Sequence, residues 1–125
     1  MIKKIKLGIS IVAMSCLALA CKHEPNFNTL PAVYYSTDIA PIISANCTFS
    51  GCHGDFESRR FQLFSYDDVM KYCKVKAGSP QTSKLYKAVK SLNSEEVMPT
   101  AQYNRLTEQQ IQLIYIWIGQ GAKNN

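Results

Sequence analysis

The rhythm of hydrophobic and polar residues changes several times along the chain. Met1-Ile-Lys-Lys-Ile-Lys6 is a basic patch, and a largely apolar run follows from Leu7 to Ala20. That run is too short to cross a bilayer as a stable helix, and a basic head in front of it is the layout of an export signal. Residues 21–34 are polar, contain prolines and read as a tether. From residue 35 onward apolar residues recur at helical spacing, so 35–125 forms a single domain of ordinary size.

Within that domain the pattern predicts an all-α fold of about four helices, the middle two short. Asp38 is placed to cap a first helix through Ile39, Ile42 and Ile43, with Pro41 in its opening turn, where a missing N–H is no loss. This helix runs into Cys47. Ser65 followed by Asp68 makes a capping box for a short helix over roughly Tyr66 to Tyr72. Gly78 breaks the chain, Ser79-Pro80 starts a turn, and Leu85, Ala88 and Val89 mark a third helix to about Lys90. Ser91 to Leu106 carries Asn93, Pro99 and Asn104 without any period and reads as an extended loop, a length that is usually functional. Thr107 with Gln110 forms a second capping box, and Ile111, Ile114, Tyr115 and Ile118 give the last helix an apolar face until Gly121 stops it.

The signal ends Leu17-Ala-Leu-Ala-Cys21, and small residues running into a cysteine resemble the lipobox at which bacterial lipoproteins are cleaved and acylated. By that resemblance Cys21 becomes a lipidated N-terminus, and the domain faces the periplasm or the outer surface of a bacterial membrane. The alternatives are a weak membrane anchor or an ordinary signal with an incidental cysteine, and both still export the domain. The formal charge of +5 falls once Lys3, Lys4 and Lys6 leave with the signal, to 11 basic against 9 acidic residues. No cluster of Lys or Arg is interleaved with aromatics, so nothing points to nucleic acid.

Three cysteines remain for the folded domain: Cys47, Cys52 and Cys73. Two thiols followed at once by a histidine is the arrangement that attaches a c-type haem, the thiols adding to its vinyl groups and the histidine reaching the iron. The usual spacing between the cysteines is two residues; here Thr48 to Gly51 make it four, giving Cys47-Thr-Phe-Ser-Gly-Cys-His53. The bland alternative is a local Cys47–Cys52 disulfide with a surface His53. Met98, in the long loop before the last helix, is well situated to supply the second axial ligand, against the reading of Met98 as a gap-filler. Met70 is the other methionine of the mature chain. Cys73 reads as a buried structural thiol and His23 as a solvated linker residue.

Taken together, Asp38-Ile-Ala-Pro-Ile42, Cys47 to His53, Ser83-Lys-Leu-Tyr-Lys87, Met98-Pro99 and Leu106 to Gly121 resemble a class I c-type cytochrome, more narrowly a small mono-haem cytochrome-domain lipoprotein with a C-x4-C-H motif. The resemblance covers roughly Tyr35 to Ala122. It implies a cytochrome c-like fold in which the helices wrap around one covalently attached haem c. It also implies that the first and last helices cross near the haem edge, with Ile39, Ile43, Ile114 and Ile118, and Trp117 as a further candidate, among the contacts.

If His53 and Met98 both bind iron, no position is open to a substrate. The expected function is then electron carriage between redox partner proteins at a membrane, not catalysis. Without Met98 the iron would be open to gas sensing or peroxidase-like chemistry. Two other readings use the same residues: a zinc site from Cys47, Cys52, His53 and Cys73, and a haem-free, disulfide-stapled scaffold or adhesion lipoprotein.

Overall fold

Thr107 opens the longest described helix, α4 (Glu108–Gly119). Its Oγ1 accepts the Gln110 N–H at 3.2 Å while Gln110 Oε1 accepts the Thr107 N–H at 2.9 Å, so two donors that a helix start leaves without partners are both satisfied. Ile111, Ile114, Trp117 and Ile118 form its buried face. The helix ends two residues before Gly121, which takes the left-handed conformation at φ +101°. The Gly121 N–H donates to Ile118 O and the Ala122 N–H to Trp117 O, the paired closure that glycine favours after a helix.

The computed structural model describes residues 24–55 and 61–125, and the export signal, Cys21 and His23 lie outside the described residues. Before α4 come three shorter helices: α1 (Ala40–Cys47), α2 (Tyr66–Tyr72) and α3 (Lys84–Lys90). No strand occurs among the described residues, so the all-α expectation holds for them. None of their helices is long and apolar enough to cross a membrane.

The start of the first helix differs from the sequence expectation. Asp38 does not cap it; a π-helical turn, Tyr35–Ile39, precedes α1 and contains Asp38. The Asp38 carboxylate reaches back to accept the Tyr34 N–H at 2.7 Å. Pro41, the second residue of α1, has no N–H to carry a regular ladder back into this turn, and the Ala40 N–H instead bonds five residues back to Tyr35 O. Two bonds from the turn to Asn125 hold the chain terminus against it: Ser36 N–H to the Asn125 carbonyl at 2.9 Å and Tyr35 N–H to Asn125 Oδ1 at 2.9 Å.

The capping box at α2 forms as the sequence indicates, Ser65 Oγ accepting from Asp68 N and Asp68 Oδ2 accepting from Ser65 N. A 3-10 turn, Pro80–Thr82, leads into α3. Ser83 is fully buried there, and its Oγ accepts the Lys76 N–H at 2.8 Å and donates to Ser79 O at 3.0 Å, so the buried hydroxyl is satisfied.

α4 packs against both α3 and the π-helical turn, and the core gathers Ile39, Val69, Ile114, Trp117 and Ile118 at full burial. Gln120, just past α4, fastens the segment leading into the domain. Its Nε2 donates to Pro31 O at 2.9 Å and to Phe27 O at 3.2 Å, and its Oε1 accepts the Val33 N–H at 3.0 Å. The Phe27 ring stacks at a tilt on Tyr115 of α4 with centroids 5.2 Å apart.

Candidate functional site

The segment from Cys47 to His53 folds into a closed loop at the end of α1. The His53 N–H donates to Cys47 O at 3.1 Å and the Cys52 N–H to Phe49 O at 2.9 Å. Asp55 tightens the loop from outside, its carboxylate accepting from Ser50 Oγ at 2.8 Å and from the Gly51 N–H at 2.6 Å. Gly54 follows His53 so closely under the loop that a Cβ there would run into the Thr48 carbonyl oxygen. The tight return after the histidine therefore needs a residue with no side chain.

His53 is oriented by the backbone and the ring of Phe61. Its Nδ1 lies 2.7 Å from Phe61 O, and the Leu63 N–H returns to His53 O at 3.1 Å. A carbonyl can only accept, so Nδ1 is the nitrogen that carries a proton at this contact, which leaves Nε2 as the ring nitrogen that could bind a metal. The Phe61 ring also stacks on the imidazole, with centroids 4.5 Å apart and planes 17° from parallel.

His53 and Met98 line the same cleft, a space of about 380 Å³. Cys73, Leu85 and Ala88 form its less exposed wall; Phe61, Lys84 and Glu96 stand at its exposed rim. Met98 is pinned by its N–H, which donates to Ala88 O of α3 at 3.0 Å, and its neighbours Val97 and Pro99 are buried. The loop that carries Met98 is braced at both ends. Arg105 Nη2 donates to Ser91 O, and Tyr103 stacks on Phe49 of the cysteine loop with centroids 5.4 Å apart and planes 4° from parallel.

Cys47, Cys52 and Cys73 carry thiols rather than disulfide sulfurs. Burial, and then the nearby Cys52, push the Cys47 thiol up to about 11. Burial, and then Cys47, push the Cys73 thiol up to about 12. Both are therefore neutral at physiological pH. Cys73, at the end of α2, is a cleft-lining residue as well as a core residue, while Cys47 and Cys52 belong to the loop that leads into His53.

Comparison with family models, with curated proteins and with solved structures finds no match.

An imidazole held through its other nitrogen and a methionine, both lining one cleft of ligand-binding size, are a donor pair that would suit a haem iron, whereas Cys47 and Cys52 do not themselves line that cleft. The donor set does not fit zinc. No three His, Cys, Asp or Glu side chains among the described residues gather as a metal site, so Cys47, Cys52, His53 and Cys73 do not converge into a four-donor cage.

Other expected contacts fall elsewhere. Ile39, Ile43, Ile114 and Ile118 are core residues and do not line the cleft. Trp117 packs on Tyr35 and Tyr66 and donates its indole N–H to Lys123 O at 3.0 Å. Met70 packs against the core from α2. The Phe61 carbonyl, the Asp55 brace and the Phe49–Tyr103 stack escape a sequence reading. The first is a backbone group, and the other two depend on loop paths that carry no period.

Proposed function

We propose that this chain is a mono-haem c-type cytochrome, an electron carrier held on a bacterial membrane by a lipid at Cys21. The observation that carries the proposal is that His53, with Nδ1 already engaged, and Met98 line one cleft. Cys47 and Cys52 would hold the haem through thioethers, and His53 and Met98 would bind its iron. When bound, the haem supplies a one-electron couple, which a thioether ligand biases toward the reduced state. The chain's own residues would do the rest. The Phe61 carbonyl fixes the imidazole, Ala88 fixes the Met98 backbone, and the apolar wall of Cys73, Leu85 and Ala88 limits water. Nothing in that arrangement transforms a small molecule; its partners are redox proteins at the same membrane.

The test is the visible spectrum of the chain matured in a host that attaches c-type haem, oxidised, reduced and as the pyridine haemochrome. Sharp alpha and beta bands on reduction are expected. A colourless, folded product would sink the proposal and leave the haem-free scaffold.

A further inference from the structure

Three aromatic rings stack in series from the cleft to the surface. His53 lies on Phe61 with centroids 4.5 Å apart, and Phe61 lies on Tyr72 with centroids 5.1 Å apart and planes 9° from parallel. Phe61 and Tyr72 are 38% and 37% exposed. Isolated surface aromatics are ordinary, but a contiguous pair stacked on the proposed iron ligand joins the site to solvent.

The rim of this pair is positively charged on one side. Lys71 Nζ sits 4.9 Å from the Tyr72 ring centroid, and Lys84 lines the cleft beside Phe61. Lys71 and Lys84 are both exposed, and Asp68, whose carboxyl Lys71 helps to hold low, is the carboxylate nearest to Lys71 along α2. Glu96, on the Met98 loop, is the carboxylate that lines the cleft. An aromatic centre with a charged rim is the anatomy of a protein interface, and opposite charge speeds and orients encounter.

We propose that an acidic redox protein docks over the Phe61–Tyr72 pair, oriented by Lys71 and Lys84, and that electrons leave the molecule there. The proposal rests on the cytochrome reading above. An anionic bilayer could also meet these lysines, but its apolar interior accepts no electron, whereas here stacked rings join the proposed iron ligand to solvent.

The experiment uses the full, haem-loaded chain in phosphatidylcholine vesicles. The reduced protein is oxidised by hexacyanoferrate(III), an anion, and by tris(phenanthroline)cobalt(III), a cation, at low and high salt. The anion should show the steeper loss of rate with salt. Lys71→Glu and Lys84→Glu should each slow the anion by about threefold to tenfold at low salt and speed the cation. Lys123→Glu, an equal change of charge at the chain terminus, should do much less. Tyr72→Ala should slow both reagents by about twofold with the haem spectrum unchanged, an order-of-magnitude expectation for losing one contact ring. These effects should persist in vesicles containing phosphatidylglycerol. Equal effects of Lys84→Glu and Lys123→Glu overturn the docking face, and so does loss of the Lys84→Glu effect in anionic vesicles, which assigns the lysines to the membrane. A red protein whose rates ignore reagent charge refutes the docking face alone, while a colourless chain removes both proposals.

Discussion

At the scale of single residues, the chemistry of the site is set by which atom of each donor is already occupied. His53 is committed through Nδ1 to Phe61 O, and Met98 through its backbone N–H to Ala88 O, so Nε2 and the thioether sulfur are the groups left to bind. In the haem-loaded chain Met98→Ala should keep the covalent haem, because Cys47, Cys52 and His53 are untouched. It should abolish the weak far-red sulfur-to-iron band of the oxidised spectrum and lower the midpoint potential, as spectroelectrochemistry would register. The thiols make a separate prediction for the haem-free chain. Cys47 and Cys73 hold their protons more tightly when folded, at about 11 and about 12 against an ordinary 9.0. The stability that these neutral thiols contribute is therefore complete below pH 9 and is lost as pH rises from there through the folded values. Urea midpoints for this chain should fall between neutral and strongly alkaline buffer, and Cys73→Ala should flatten that fall.

Capping explains much at the scale of elements. Replacing Ser65 by Ala removes the acceptor of the Asp68 N–H and should cost about 1 kcal/mol in chemical denaturation. Gly121→Ala, at φ +101°, should cost about as much. The Asp68 carboxyl is held below its usual range, first by the Ser65 side-chain bond, so the box is intact above the ordinary carboxylate range and weakens as acid protonates it. Both boxes, the span of α2 and the position of α3 were legible in the sequence because they depend on residues three and four apart. The start of the first helix was not. Asp38 before an apolar run has the composition of a cap, but the distant Asn125 and the proline at the second position of α1 decide the local geometry. The site divides the same way. His53 and Met98 were readable as donor types with a plausible order, whereas the Phe61 carbonyl that orients His53 has no side-chain signature. Cys73 looked purely structural because its nearness to the cleft follows from how α2 meets α3.

For the whole molecule, the cleft is an open hollow of about 380 Å³ whose wall of Cys73, Leu85 and Ala88 backs onto the core. A covalently fixed apolar ring would add to the core and bind only the folded state. The double variant Cys47→Ala, Cys52→Ala should therefore unfold with a broader thermal transition and a lower midpoint than the haem-loaded parent in calorimetry. An equally sharp and stable double variant would argue for the scaffold. The Gln120 clamp has a further consequence, for reach. Because Gln120 grips the carbonyls of Phe27 and Pro31 and the N–H of Val33, only residues 21 to 26 are left as a leash if Cys21 carries a lipid. Fully stretched, six residues extend about 20 Å. If so anchored, the domain would meet a partner only where that partner's own surface lies close to the same bilayer.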